Sequence, residues 1–168
     1  MKAAVVTVSD RVSAGRAVDR SGPAAVSLLQ DLGFVVGEPI VVEDGIDTVA
    51  GVLRDLVEAV DLIVTSGGTG FSARDLTPEG TSKVVERDAP GLAEAMRAAT
   101  FGLNPHGMLS RGVAGIAGTT LIVNLPGSPK GVAESLAVIG PALRHGVELL
   151  ADARSAHNAS DSGSDSGP

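Results

Sequence analysis

The sequence predicts an α/β domain of three layers, with helices covering a mostly parallel central sheet. Two observations carry that expectation. Short apolar runs rich in β-branched residues alternate along the chain with stretches of helical periodicity. Two of those runs, at 61–65 and 121–125, open into glycine-containing turns that hand the chain to a helix with proline at its start. The 168 residues, 43% of them hydrophobic, suffice for one domain with a full-sized core.

The elements follow in order. Residues 2–9 read as a buried first strand, with Val5, Val6, Thr7 and Val8 supplying β-branched side chains. Ser9-Asp10-Arg11 and a polar loop to Arg20 follow, at the strand end where α/β folds bind ligands. Val26, Leu28, Leu29 and Leu32 share one helical face over 22–32, and Gly33 suits the position after its end. Residues 34–43 read as a second strand that Pro39 places at an edge or bend. Asp47 or Thr48 then caps a helix reaching about Val60.

The strand at 61–65 runs into Ser66-Gly67-Gly68-Thr69-Gly70, and Thr77-Pro78-Glu79 opens a helix expected over 77–87. Ala89-Pro90-Gly91 breaks the pattern, and a helix resumes over 91–101. Strands at 112–117 and 119–124 flank Ala117-Gly118, a hairpin signal. An amphipathic helix over 131–150, with breaks at Gly140-Pro141, closes the domain. From Ser155 only small and polar residues remain, so the expected division is a domain at 1–154 and a disordered tail at 155–168.

Composition removes several function classes. Without cysteine there are no disulfides, thiolate metal sites or thiol nucleophiles. A net charge of −7 with scattered signs and no basic patch argues against nucleic acid. No apolar run is long enough to span a bilayer, and Met1-Lys2 leads straight into a strand without a secretory signal, so the expected location is the cytoplasm. With three Phe, no Trp and no Tyr, a ligand must be held mainly by backbone groups, hydroxyls and charges.

The chemistry concentrates in residues 66–80. Three glycines within four positions allow positive φ and let a ligand approach the backbone N–H groups. Strand, glycine turn and helix N-terminus together suit an anion such as phosphate, with Arg74 and Asp75 inside the loop. The pattern is not a P-loop, since no G-x-x-x-x-G-K-[ST] occurs. Gly68 to Ala73 fits G-x-G-x-x-A, with Glu86 or Asp88 as a distal acid. A dinucleotide motif, however, opens directly into its helix after the first strand, and here Pro78 marks the helix start several residues later. Asp44, beside Gly45 after a strand, reads first as a turn former, with a functional acid as the second reading. Pro126-Gly127-Ser128-Pro129 is a second turn of the same kind, and His106 lies in an exposed loop outside the site.

The block from Ser66 to Glu79 resembles the signature of the MogA/MoaB family of molybdenum-cofactor biosynthesis proteins, [TS]-G-G-T-G-x-x-x-R-D-x-T-P-[ED], at every specified position. Ser9-Asp10-Arg11, Asp19-Arg20-Ser21-Gly22, Pro90-Gly91-Leu92 with Met96-Arg97, Leu109-Ser110-Arg111 and Asn124-Leu125-Pro126-Gly127 resemble further family segments. The similarity spans roughly 2–150. It implies the molybdopterin-binding fold and a homotrimer, or a hexamer in the MoaB branch. The implied activity is transfer of AMP from ATP to molybdopterin, with Mg²⁺ and release of pyrophosphate. It further implies transient contact with the enzyme that inserts molybdate.

By the same resemblance Asp44 and Asp75 are catalytic and hold the metal, although Gly45 departs from the acid that commonly follows the first. Gly67, Gly68, Thr69, Gly70, Pro126, Gly127, Ser128 and Pro129 bind the nucleotide. Ser9, Asp10, Arg11, Arg74, Thr77, Ser110 and Arg111 bind molybdopterin. Arg74 or Lys130 steadies charge on phosphate. The alternative is a molybdopterin-binding paralogue of the MoaB type without catalysis.

Overall fold

The computed structural model describes residues 1–161 of the chain. Seven strands form one sheet. β1 (Lys2–Val8) pairs in parallel with β2 (Val35–Val36), β3 (Ile40–Val42) and β4 (Leu62–Ser66), and β4 pairs in parallel with β7 (Thr120–Leu125). β6 (Ala114–Ala117) runs antiparallel between β7 and β5 (Arg87–Asp88). The order is β2-β1-β4-β7-β6-β5, with β3 also beside β1.

Side chains alternate across each strand, and this builds the three layers. Val5, Leu62, Val64, Val123 and Leu125 point to one face and form a core with Leu29 of α2 (Ser21–Asp31) and Leu136, Ile139 and Leu143 of α6 (Pro129–Asp161). Val6, Val8, Ile63 and Ile122 point to the other, against Val49 and Leu53 of α3 (Ile46–Leu56). The three-layer α/β/α architecture and the hairpin are as expected. Gly118, at φ +55°, turns the chain between Ala117 and Thr120.

Several boundaries differ from expectation. The second strand is two short ones, because Pro39 offers no N–H and the chain leaves β1 around Gly37-Glu38-Pro39 before returning. The segment after Ser9 is a helical turn, α1 (Asp10–Ser13), capped by the Ser9 hydroxyl accepting from Val12 N at 3.3 Å. Gly45, rather than Asp47 or Thr48, occupies the N-cap of α3, which ends at Leu56. The helix at Thr77-Pro78 is short, α4 (Thr77–Ser82), since Arg87 and Asp88 are taken up by pairing with β6. Pro90 starts α5 (Pro90–Ala98).

α6 passes through Pro141 without a break. Fully buried side chains on both sides of the proline, Ile139 and Leu143 among them, hold its axis against the sheet. It also continues beyond the expected end near Leu150 and the expected boundary at 154, through a stretch containing Ala151, Ala153, Ala156 and Ala159, good helix formers. The rest of the expected disordered tail, 162–168, lies outside the described residues. Among the described residues no helix is long and apolar enough to cross a membrane.

Candidate active site

Register decides where the site forms. Val8 lies opposite Val42, Thr7 opposite Ser66, and Ser66 opposite Leu125, so four parallel strands finish along one edge. The segments that leave that edge carry Ser9-Asp10, Glu43-Asp44, the glycine turn after Ser66 and the Pro126-Gly127 turn. Residues far apart in sequence converge there, on the rim where open α/β sheets bind ligands.

Asp10 and Asp44 are joined through their backbones and carboxylates. Asp10 N donates to Asp44 Oδ2 at 2.9 Å, and Asp44 N donates to Asp10 Oδ1 at 3.1 Å. Arg74 grips the Asp10 carboxylate with Nε and Nη2, each at 2.9 Å, and Nη2 reaches the Asp44 carbonyl at 3.2 Å. Burial pushes the Asp44 carboxyl above the usual aspartate range. The Asp10 N–H pulls it down, the charges of Asp10 and Asp75 push it up, and Arg74 lowers it.

The glycine turn is tightly built. Gly67 and Gly68 take φ +106° and +63°. A Cβ on Gly67 would strike the Val8 carbonyl oxygen; one on Gly68 would strike Thr77 Oγ1 and stand 2.9 Å from Asp44 Oδ1. Gly67 N donates to Leu125 O at 3.2 Å, and the buried Ser66 hydroxyl donates to Pro126 O at 3.0 Å. These two bonds lock the glycine turn to the Pro126-Gly127 turn. Asp75 closes the 70–75 loop by accepting from Ser72 N at 2.8 Å through Oδ2.

Two cavities open along this edge. One, of about 430 Å³, is walled by Ser9, both turns (Gly67, Gly68, Gly127, Ser128) and the carboxylates of Asp19, Asp44 and Asp75. The second, of about 620 Å³, lies across Thr69, Gly70 and Pro126 and is walled largely by apolar side chains, Met96, Leu103 and Val138 among them. Ser128 and the start of α6 border both. Its hydroxyl caps that helix by accepting from Gly131 N at 3.1 Å.

A family model described as a probable molybdopterin binding domain matches residues 4–145, the region that builds the sheet and both cavities. The chain belongs to the MogA/MoaB family. It is 39% identical over 150 residues to the molybdopterin adenylyltransferase of Helicobacter pylori strain J99, an alignment covering 87% of this chain and 85% of that protein. It is 40% identical over 159 residues to gephyrin of Dictyostelium discoideum, covering 87% of this chain but 22% of gephyrin's length. The solved structure of the molybdopterin biosynthesis Mog protein from Mycobacterium ulcerans superposes with a TM-score of 0.83 at 46% identity, covering 89% of this chain and 98% of that one.

The structure brings together most of the residues that the MogA/MoaB resemblance singled out. Ser9, Asp44, Asp75, Gly67, Gly68, Gly127, Ser128 and Pro129 border the acidic cavity. Thr69, Gly70, Ser110 and Pro126 border the apolar one. Asp10 and Arg74 meet at the rim, each engaged by the other. Lys130 lines the apolar cavity within 3.7 Å of Glu134.

Of the seven expected pterin residues, only Ser9 and Ser110 border a cavity; besides Asp10 and Arg74, which engage each other, three stand elsewhere. Arg11 lies on the exposed side of α1 and borders neither cavity. The Thr77 side chain is fully buried and its hydroxyl donates to Gly67 O at 2.9 Å, shaping the turn from behind. Arg111 borders neither cavity; its half-buried guanidinium bonds Gly70, Asp75 and Glu79.

His106, expected outside the site, lines the apolar cavity, and two other residues were missed as single positions. Asp19 accepts from Thr7 Oγ1 at 2.7 Å and Gly22 N at 2.9 Å, which ties the 14–20 loop to β1 and α2 at the cavity wall. Asn124 is a buried junction: Nδ2 donates to Thr65 Oγ1 and Thr81 Oγ1, each at 2.9 Å, and Oδ1 accepts from Val113 N at 3.2 Å. A polar residue ending an otherwise apolar strand was the available signal.

Among the described residues, no group of three or more His, Cys, Asp or Glu side chains is placed to hold a metal alone. Asp44 and Asp75 nevertheless fit Mg²⁺. Both border the acidic cavity, the Asp75 charge reaches Asp44, and Mg²⁺ is commonly held by one or two carboxylates with substrate phosphates.

Proposed function

We propose that this chain is a molybdopterin adenylyltransferase, transferring AMP from ATP to the phosphate of molybdopterin. The supporting observation is the convergence of two glycine turns, the α6 N-terminus and Asp44 and Asp75 on one cavity, beside a larger cavity of mostly apolar surface. A phosphate oxygen of the pterin attacks the α-phosphorus of ATP, and the bond to the bridging oxygen breaks as pyrophosphate leaves.

Backbone N–H groups of the turn after Ser66, other than that of Gly67, which Leu125 O takes, receive the phosphates beside the α6 start. Asp44 and Asp75 would hold Mg²⁺, which would supply charge neutralisation to the phosphates. Arg74, held by Asp10 at the rim, lies near the phosphates as positive charge. The positioning of two phosphates in line carries most of the acceleration in this chemistry. The protein works on small molecules, as a homotrimer in the cytoplasm.

The test is incubation of the protein with ATP, Mg²⁺ and molybdopterin, followed by detection of adenylylated pterin and pyrophosphate. Equimolar formation of both is expected. Saturable pterin binding without product would identify instead a pterin-binding protein that does not catalyse. No pterin binding at high micromolar concentration would remove the reading altogether.

A further inference from the structure

The Arg111 side chain is half-buried, and its guanidinium is engaged by acceptors of the protein. Nε donates to Gly70 O at 2.8 Å, Nη1 donates to Glu79 Oε1, and Nη2 donates to the carbonyl oxygen of Asp75 and to Glu79 Oε2 at 3.4 Å. Its own backbone N–H donates to Thr69 O at 2.9 Å. These partners sit at both ends of the 70–75 loop and on α4. Arg74 ties the same loop to Asp10, and Ser72 N donates to Asp75 Oδ2, but Phe71 at its tip is 68% exposed, and Arg111 spans both ends.

We propose that Arg111 is a positioning residue for Asp75, holding that carboxylate in place through the carbonyls of Gly70 and Asp75 and the Glu79 side chain, and that it does not contact the pterin. The proposal rests on the reading of Asp75 as a catalytic carboxylate. A planar fork of N–H donors is what the arrangement requires: three acceptors on two segments lie around one guanidinium. Glu79 is held below the usual carboxylate range by its hydrogen bond to Arg111, and Arg111 is held above its own by Glu79, so the pair stays charged in the working range.

The geometry also explains why the site depends on the clasp. Asp75 Oδ2 lies 2.9 Å from where a Cβ on Gly70 would stand, so the loop is folded closely about that carboxylate. Displacement of a reacting constellation by about 1 Å costs on the order of a hundredfold in rate. A residue that acts only through Asp75 has nothing left to position once the Asp75 charge is gone.

The test compares Arg111→Lys and Glu79→Gln, each in the natural sequence and in an Asp75→Asn background. Turnover at saturating ATP, Mg²⁺ and molybdopterin is measured beside the pterin Kd and hydrogen exchange of the amides at 69–75. Arg111→Lys should lower turnover roughly thirtyfold, leave the pterin Kd within about threefold and speed exchange across the loop. In the Asp75→Asn background it should cost less than about threefold more. Glu79→Gln keeps the guanidinium and should show the same pattern with a fall of about three- to tenfold, which carries the test if Arg111→Lys does not fold.

A tenfold or greater rise in pterin Kd with turnover retained would make Arg111 a pterin ligand and overturn the proposal. Equal losses in both backgrounds would overturn it in favour of a general structural role. Natural turnover in Arg111→Lys beside a slow Asp75→Asn removes this proposal alone. Natural turnover in Asp75→Asn removes the reading of Asp75 and this proposal with it.

Discussion

Asp10 and Asp44 hold each other by reciprocal hydrogen bonds, each backbone N–H donating to the other's carboxylate at 2.9 and 3.1 Å. The pair joins the ends of β1 and β3, and Arg74 closes it from the glycine loop. Two acids in one partly buried place are costly to keep ionised, and the elevated Asp44 carboxyl records that cost.

Removing the Asp44 charge should therefore stabilise the fold. The folded chain binds the Asp44 proton more tightly than the unfolded chain does, so stability from this group falls as pH rises through the window between the ordinary aspartate value and the raised one. Asp44→Asn keeps an oxygen to accept from Asp10 N. Its thermal midpoint at pH 7 should exceed that of the natural protein by roughly 1–3 °C, and the gain should vanish below the ordinary aspartate range. A lower midpoint at pH 7 would contradict this account.

The same substitution should cost activity. Asp75→Asn and Asp44→Asn are each expected to slow adenylylation by roughly a hundredfold, with pterin affinity within a few-fold. If both carboxylates serve one Mg²⁺, the double variant should lose little beyond either single one. Multiplied losses, measured by turnover at saturating Mg²⁺, would assign them separate tasks.

Gly68→Ala separates backbone strain from site geometry when set beside Gly15→Ala. Both glycines take positive φ, +63° and +67°, but a Cβ on Gly15 meets nothing within 4 Å while one on Gly68 runs into Thr77 and Asp44. Gly15→Ala should cost about 1 kcal/mol with nucleotide affinity intact. Gly68→Ala should cost roughly 2–3 kcal/mol and weaken nucleotide binding at least tenfold. Equal ATP affinity in the two, by calorimetry, would mean that the turn does not hold phosphate.

Asn124→Leu tests the junction beneath the site. It leaves the Thr65 and Thr81 hydroxyls and the Val113 N–H without the partner they share. Losing a satisfied buried network of this size should cost about 3 kcal/mol, a fall of about 6–12 °C in thermal midpoint for a chain of this length. A fall below about 2 °C would show that the neighbours find other partners.

Much of the chain was legible before folding, for local reasons. Apolar alternation and β-branching marked β1, β4 and β7, because a strand buried on both faces needs such residues throughout. The two glycine turns declared themselves because positive φ at Gly67 and Gly68 admits few other residues. Asp44, Asp75 and both turns were placed at the site by motif, and the strand register carries them to a single cavity.

What folding alone decided lies in contacts between distant segments. Pro141 reads as a helix break, yet core packing on both sides holds α6 continuous. The helix expected over 77–87 takes in Arg87, yet β6 pairs with Arg87 and Asp88 as a strand. Arg111 and Thr77 stand in motifs that suggest ligand contacts, but they bond Gly70, Asp75, Glu79 and Gly67 instead of lining a cavity. Periodicity, propensity and turn chemistry are properties of a few neighbouring residues, and these the sequence itself determines. The direction a side chain faces depends on which acceptors the rest of the chain brings within about 3 Å, and only the tertiary structure decides that.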